Sequence, residues 1–315
     1  MPRDMPMGAA PVCVVSGAGS GGLAAAARAR ARGFQVKIVD RQQTPGDRAR
    51  VLRARKFAWD AGPTVITTPG LLQDLFALLG EKMADHIEML PVQPWYRIRF
   101  ADGRHFDHGG SVEEARVSIS AFAPDDPAGY DRLTAHTRRL FETGFDRYGA
   151  ASFHDLRTML KALPAFLLLG GHRSVRGLVR SYIQNDALAH ALSLQPLLVG
   201  GHPYRTFALY TLILHLERLW GVWLPHGGTG ALVEALVGLL RRHGVEWMPC
   251  RAVERILMRA GCAARRWQEA GTVPVSPSRQ PCYNRFVSAS TIARRCLAFT
   301  WWVRAPTPAP ACPAC

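Results

Sequence analysis

The sequence contains few lysines, no long apolar run and no regular cysteine spacing. Only four of its 39 basic residues are lysines. No window holds about 18 consecutive apolar residues, so we expect no membrane-spanning helix. The seven cysteines occur without a repeating interval, which argues against a disulfide framework. Cys312 and Cys315 end a Pro/Ala string in which no strand or helix is predicted, so we expect no metal or redox site there.

The charge and the N-terminus restrict partners and location. The formal net charge of +15 resembles that of a nucleic-acid-binding protein, but eight arginines and a single acid in residues 258–315 supply about half of it. An arginine bias of this kind often follows from GC-rich coding, so we expect no nucleic-acid partner. Residues 1–11 lack the apolar core of a secretory signal, which favours a cytoplasmic protein.

The most specific motif is a glycine-rich loop between a strand pattern and a helix pattern. Gly17, Gly19 and Gly22 follow the apolar run 12–15 and precede an alanine-rich segment. Such glycines permit a tight turn, close approach of a pyrophosphate to the backbone, and close packing of helix on strand. Asp40 ends the next apolar run about 18 residues later, at the usual spacing for an acid that holds ribose hydroxyls. Strand, helix and acid in register favour a dinucleotide-binding unit over a plain glycine-rich turn.

Downstream patterns predict a hairpin and then a mainly helical region. Asp102 and Gly103 lie between two extended segments, which is a strong hairpin signal. Residues 127–218 are predicted to be mostly helical. A further amphipathic helix is predicted at 231–240, with Gly244 after its end.

The remaining segments give weaker signals. Segments 245–248 and 252–257 alternate as strands, whereas 258–315 shows no sustained period. His215 lies in the apolar run 207–216, which we expect to be buried, and it fits a core histidine better than a metal ligand.

An apolar patch at 165–169 allows two interpretations. Basic residues flank it at Lys161, Arg173, Arg176 and Arg180. Basic residues around exposed apolar side chains are typical of a surface that docks on a membrane. A buried core segment would show the same composition, and from the residues alone it is the favoured interpretation.

Four blocks, in this order, resemble the bacterial phytoene desaturase family, part of the flavin amine oxidase-like group. The blocks are 17–22, 57–67, 197–203 and 220–232, and the resemblance extends over residues 12 to about 257. It implies an α/β fold, with a Rossmann-like FAD-binding domain, an inserted α+β substrate domain and an irregular tail.

The resemblance implies the following division of the chain. Residues 1–75 form the FAD-binding βαβ part, 76–225 the substrate and membrane-associated part, and 226–257 the return to the FAD-binding domain. Family members continue with another glycine-rich segment that completes the flavin site, and residues 258–315 do not resemble it. We therefore expect a truncation or a change of reading frame near 257, with a divergent or disordered basic tail as the alternative.

The resemblance also implies a chemistry. FAD is the expected cofactor, and the substrate is an apolar polyene, phytoene, which is dehydrogenated toward lycopene. A lipid-soluble substrate makes membrane docking the favoured interpretation of the patch at 165–169, and so implies a peripheral contact with lipid. Two alternatives stay open: a non-catalytic remnant with an incomplete flavin site, and a related flavoenzyme that acts on another carotenoid or on an amine.

Individual cofactor contacts follow from the resemblance. No general acid or base is predicted, because the flavin performs the difficult chemistry and the protein positions it. The backbone of Gly17, Gly19 and Gly22 would meet the pyrophosphate, and Asp40 would hold the ribose. Arg48 would lie near the phosphates and flavin, and Gly62 and Thr64 would run past the flavin. The backbone of Val253 would meet the adenine.

Two residues depart from the family pattern near this site. Ser16 stands where the family has an apolar strand residue, and burial of its hydroxyl without a partner would cost about 1–3 kcal/mol. Asp47 replaces the second glycine of a Gly-Gly-Arg step. If this position has a positive φ or lies close to the phosphates, the carboxylate brings steric conflict and like-charge repulsion.

Overall fold

The computed structural model describes residues 10–149 and 156–253, together with 258–259 and 262–263. The terminal cysteines and most of the expected irregular tail lie outside these residues, as do positions 254–257 of the predicted strand. Residues 258–259 and 262–263 form a short antiparallel pair.

Strands and helices alternate at both ends of the described chain, and helices dominate its middle. The strands are β1 Val12–Ser16, β2 Gln35–Val39, β3 Val51–Ala54, β4 Phe57–Asp60, β5 Met89–Pro91, β6 Tyr96–Arg99, β7 His105–His108, β8 Trp223–Pro225, β9 Glu246–Met248, β10 Met258–Arg259 and β11 Cys262–Ala263. The α-helices are α1 Ser20–Ala31, α2 Pro69–Ala77, α3 Val112–Phe122, α4 Pro127–Phe141, α5 Leu156–Leu168, α6 Val175–Arg180, α7 Asp186–Ala191, α8 Leu212–Trp220 and α9 Gly228–Arg242.

The predicted strand–helix–strand unit is present as β1, α1 and β2. The two strands are parallel, with Val12 opposite Gln35 and Ser16 opposite Val39. β9 adds to the other edge of β2 in the same direction, so the sheet order is β1-β2-β9. The last strand thus returns to the first βαβ unit although about 200 residues separate them.

Helices α1 and α9 pack in one core with this sheet. α1 is buried nearly all round, and most of its buried residues are alanines, whose small side chains allow close approach of the neighbouring elements. Fully buried members of α1 are Ala24, Ala25, Ala26 and Ala27. From α9, Leu232, Leu236 and Leu239 enter the same apolar cluster.

The antiparallel elements and the long helices form the rest of the described chain. β6 and β7 make the predicted hairpin, and Gly103 in its turn has φ +84°. β3 pairs with β4, and β5 pairs with β8. Most of 127–218 is helical, as predicted. None of the helices in the described ranges is both long and apolar enough to reach across a bilayer.

A buried polar cluster joins the β6–β7 hairpin to α8. The Tyr96 hydroxyl donates a 2.8 Å hydrogen bond to the fully buried carboxylate of Glu217. The His108 ring nitrogen Nε2 lies 3.8 Å from the other oxygen of that carboxylate. Burial is the main reason why the pKa of His108 is lowered. Burial, and then Glu217, raise the pKa of Tyr96.

One detail of the predicted core needs correction, and another agrees with the structure. Phe207 was expected inside the apolar run 207–216, but its side chain is 65% exposed. His215 contacts the Phe141 ring at 5.2 Å, and partial burial lowers its pKa, as suits a histidine packed against a core.

Candidate nucleotide-binding site

The glycine loop crosses from β1 into α1 in a conformation that needs glycine at two positions. Gly17 has φ +99° and donates its backbone N–H to the carbonyl of Val39 at 2.8 Å. A Cβ at Gly22 would overlap the carbonyl oxygen of Gly17, so α1 packs against the loop only with glycine there. These are the roles expected for the first and last glycines of a dinucleotide-binding loop.

The N-terminus of α1 faces this loop with its backbone donors. Gly19 caps the helix, and its carbonyl accepts from Leu23 N–H at 3.0 Å. The first turn of α1 contains no acidic residue. The positive end of the helix dipole is therefore not neutralised from within the helix, as an anion-binding N-terminus requires.

Asp40 lies beside the loop at the carboxyl end of β2. One carboxylate oxygen accepts the Ala18 N–H at 2.6 Å, and the other accepts the Gln42 N–H at 2.7 Å. The side chain is half-buried. Each carboxylate oxygen keeps a further acceptor position, so this geometry leaves room for a pair of ribose hydroxyls.

A turn at 46–49 closes over the loop from the other side. Gly46 has φ +115° and donates its N–H to the carbonyl of Ala18 at 2.9 Å, and it forms an isolated bridge with Gly19. Arg48 follows in the same turn and is exposed. The sequence identified Gly46 only as a turn former. Gly46 lies three residues before Ala49, the buried residue at the end of the turn. This position in the sequence did not indicate a contact with the glycine loop.

Asp47 is the discordant residue of this site. It has φ +51°, a left-handed conformation that disfavours side chains. Its Cβ lies 3.2 Å from where a Cβ on Gly19 would stand. The exposed carboxylate therefore lies against the glycine whose backbone is expected to approach the phosphates. Of the two conditions set out from the sequence, positive φ is met, and closeness to the phosphates stays a prediction.

The segment around Gly62 packs on the same turn. A Cβ at Gly62 would overlap the carbonyl of Arg48, so the two backbones touch. Thr64 is exposed, two residues before the bridge in which Ile66 and Trp223 exchange hydrogen bonds of 2.7 and 2.8 Å. Gly62 thus joins the glycine-loop region, while Thr64 lies on the path from it toward β8.

The predicted strand containing Val253 needs correction. Positions 251–253 are irregular, because Pro249 has no N–H to donate and Cys250 adopts φ +56°, which turns the chain out of the sheet. The turn nevertheless brings this segment to the site. Arg251 donates its N–H to the carbonyl of Asp40 at 2.8 Å, two residues before Val253.

Asp60 holds α9 near the same region, a contact that sequence reasoning missed. Its carboxylate accepts the Thr229 N–H at 3.1 Å, in the first turn of α9. A Cβ on Gly228 would lie 2.6 Å from that carboxylate. The available signal was an acid at the end of one block and a Gly-Gly-Thr-Gly helix start in another, which together fit a carboxylate at a helix N-terminus.

Two further expectations are settled by exposure. Ser16 ends β1 and is exposed, so the expected cost of burying its hydroxyl does not arise. The interpretation of the patch at 165–169 as a buried core segment is wrong, because α5 exposes most of its large apolar side chains. Within the patch, Leu167 is 46% and Leu168 87% exposed, whereas Phe166 and Leu169 are half-buried; the preceding turns of the helix expose Leu160 at 59% and Leu163 at 49%.

The arrangement suits the pyrophosphate and ribose end of FAD. The glycine loop leaves its backbone accessible, the α1 N-terminus supplies N–H donors, and Asp40 supplies carboxylate acceptors on the adjacent strand. The Asp47 side chain, which lies against Gly19, is the feature of this arrangement that opposes an anion.

A family model described as "flavin containing amine oxidoreductase" matches residues 20–269. The chain belongs to this family. Membership confirms the predicted flavin cofactor, FAD, and the α/β fold of a flavin-dependent oxidoreductase. The match runs about a dozen residues beyond 257, where the resemblance was expected to stop.

Curated relatives confirm the predicted resemblance to bacterial phytoene desaturases. The lycopene-forming phytoene desaturase of Pantoea ananas is 42% identical over 232 residues, 74% of this chain and 47% of the relative. The one from Pseudescherichia vulneris is 43% identical over 233 residues, with the same coverage, 74% and 47%. This chain therefore spans about half the length of the curated relatives it matches.

Solved structures agree on the fold. A protein from Pyrococcus furiosus aligns with a TM-score of 0.54 at 18% identity, covering 78% of this chain and 53% of that one. A putrescine oxidase variant aligns with a TM-score of 0.54 at 14% identity, covering 84% and 56%. At these identities the likeness concerns architecture alone.

Proposed function

We propose that this protein acts in the FAD-dependent desaturation of phytoene toward lycopene. The observation that carries the proposal is the convergence of the glycine loop, Asp40 and the turn at 46–49 on one anion-accepting site, in a chain 42% identical to a lycopene-forming phytoene desaturase. Because the chain spans about half of such relatives, its activity alone and its activity with further polypeptide are separate questions.

The proposed cofactor contacts follow the elements of the site. The backbone of Gly17, Gly19 and Gly22 would meet the pyrophosphate, and Asp40 the adenosine ribose. When bound, FAD would accept the two electrons that leave a C–H bond as hydride when a CH–CH unit becomes C=C, and the second hydrogen would leave as a proton. The α1 N-terminus stabilises the phosphate charge, and the fixed Asp40 carboxylate orients the nucleotide.

Further contacts are proposed from elements beside the loop. We propose that Arg48 approaches the phosphates and flavin, that Gly62 and Thr64 pass the flavin, and that the backbone of Val253 approaches the adenine. The touching backbones at 48 and 62, and the hydrogen bond from Arg251 to Asp40, support these positions. The residues 1–75 and 226–257 would then form the FAD-binding part, and 76–225 the substrate part.

The proposed substrate explains the exposed face of α5. Phytoene is an uncharged hydrocarbon, so only apolar surface can recognise it, and it reaches the protein from lipid. Leu160, Leu163 and Leu168 are exposed on a helix that also carries Arg157 and Lys161. We propose that this face rests on a membrane peripherally, on the cytoplasmic side, and that no nucleic acid binds the protein.

The proposal is tested with the full chain, FAD and phytoene-loaded liposomes that contain anionic lipid. Absorption bands of a longer conjugated polyene, together with co-sedimentation of protein and vesicles, are the expected results. A protein that holds FAD but converts another carotenoid, such as a diapocarotenoid aldehyde, would replace phytoene as the substrate. A protein that retains no FAD would support the non-catalytic remnant.

A further inference from the structure

The hairpin of β3 and β4 contacts α9 on one of its faces. Val51 packs against Gly230, where any Cβ would overlap the valine side chain. Arg53 lies 3.9 Å from Glu234, and Asp60 accepts the Thr229 N–H. Each of these contacts is to α9, so this helix lies on the face of the hairpin that carries Val51, Arg53 and Asp60. Val51 and Asp60 are half-buried there, while Arg53 stays exposed.

The opposite face of the hairpin is apolar and exposed. Alternation along each strand and the pairing of Leu52 with Trp59 and of Ala54 with Phe57 place these four side chains together. The exposed fractions are 49% for Leu52, 64% for Phe57 and 51% for Trp59. The rings of Phe57 and Trp59 stack at 5.6 Å. We call Leu52, Ala54, Phe57 and Trp59 the hairpin face.

The hairpin edges favour a polypeptide over lipid as the occupant. Among the described residues, β3 and β4 pair only with each other, so each keeps an outer edge with backbone N–H and C=O groups unpaired in the sheet. Lipid tails cannot satisfy such groups, whereas an added strand can. The hairpin turn also carries Arg55 and Lys56, which suit a partner with carboxylates at the margin of its contact.

The length of the relatives identifies the polypeptide. The region of the two phytoene desaturases that matches this chain makes up 47% of their length and includes this hairpin. The other part of each relative, which we call the unmatched half, is not aligned with this chain. We propose that the hairpin face is the docking site for a polypeptide corresponding to that unmatched half, which covers Leu52, Phe57 and Trp59 and pairs with a hairpin edge. The inference rests on family membership and goes beyond the proposed catalytic activity.

The test co-expresses the full chain with the unmatched half of the Pantoea ananas phytoene desaturase as a separate polypeptide. Light scattering after affinity purification through the full chain measures the mass of the complex. We expect a one-to-one complex, and at least tenfold weaker association for Leu52→Ser and for Trp59→Ser. Val117→Ser is the matched control, because Val117 is an apolar residue 70% exposed on α3. Its association should equal that of the unchanged chain.

Each outcome decides the proposal. The thermal unfolding midpoint of each variant, measured beside its binding experiment, identifies any variant that fails to fold. Phe57→Lys, on the hairpin face, is then tested in place of that variant. No complex, or a complex that the hairpin-face variants leave unchanged, would overturn the proposal. So would vesicle binding or self-association that Leu52→Ser abolishes, since lipid or a second copy would then occupy the face. None of these measurements depends on activity toward phytoene, so failure of the proposed function would be recognised separately.

Discussion

Replacement of Asp47 by glycine should strengthen FAD binding about tenfold. Asp47 lies against Gly19 with φ +51°, so its side chain adds both a negative charge and bulk beside the loop. A unit charge about 4 Å from another in water contributes about 1 kcal/mol. A pyrophosphate carries two charges, and screening by salt reduces the sum to about 1.4 kcal/mol, which is a factor of ten in the dissociation constant.

Two variants separate the charge from the backbone. Asp47→Asn removes only the charge and should give most of the gain in affinity, while Asp47→Gly also relieves about 1 kcal/mol of left-handed strain and so changes thermal stability. Flavin fluorescence quenching during titration with FAD measures the dissociation constant at 50 mM and 500 mM NaCl. The gain of Asp47→Asn should shrink at high salt. Asp125→Asn, an exposed acid before α4, is the control. Equal or weaker FAD binding by both Asp47 variants would refute the reasoning.

Three further predictions concern other parts of the molecule. Gly22→Ala should abolish FAD binding, since its Cβ would overlap a carbonyl of the loop, whereas Gly70→Ala, which has open space, should bind normally in the same titration. Burial lowers the pKa of His108, so below about pH 6.5 the unfolded state binds more protons than the folded state. The free energy of unfolding should therefore decrease as the pH is lowered, by up to about 1.4 kcal/mol per pH unit. Urea unfolding at pH 7, 6 and 5 tests this, and an equal slope for His108→Gln would contradict it. Leu168→Glu should reduce co-sedimentation with anionic vesicles several-fold and Val117→Glu should not; equal losses would count against the α5 face.

The sequence predicts the parts of the site that depend on local geometry. A glycine at Gly22 is needed because a helix packs directly on the loop that precedes it, and this relation is fixed within a few residues. The position of Asp40 follows equally from strand length and the parallel pairing of β1 and β2. Local sequence therefore carries the proposed pyrophosphate and ribose end of the site.

Contacts between distant segments were not predictable in the same way. The approach of Gly46 to Ala18, and of Asp60 to Thr229, depends on how separate elements pack, and no periodic pattern records it. The strand predicted around Val253 was wrong at 252–253, where the chain is irregular after the left-handed residue at 250. Alternation of side chains within 252–257 does not record this change of chain direction. Exposure of the α5 face was also undetermined, since composition is the same for core and interface.

Hydrogen exchange with and without FAD tests most directly whether the glycine loop forms the cofactor site. The account predicts that added FAD slows exchange in the segments 17–24 and 40–49, which the Ala18 and Gly46 hydrogen bonds bring together. Protection confined to other segments, or no protection at FAD concentrations that saturate binding, would contradict it.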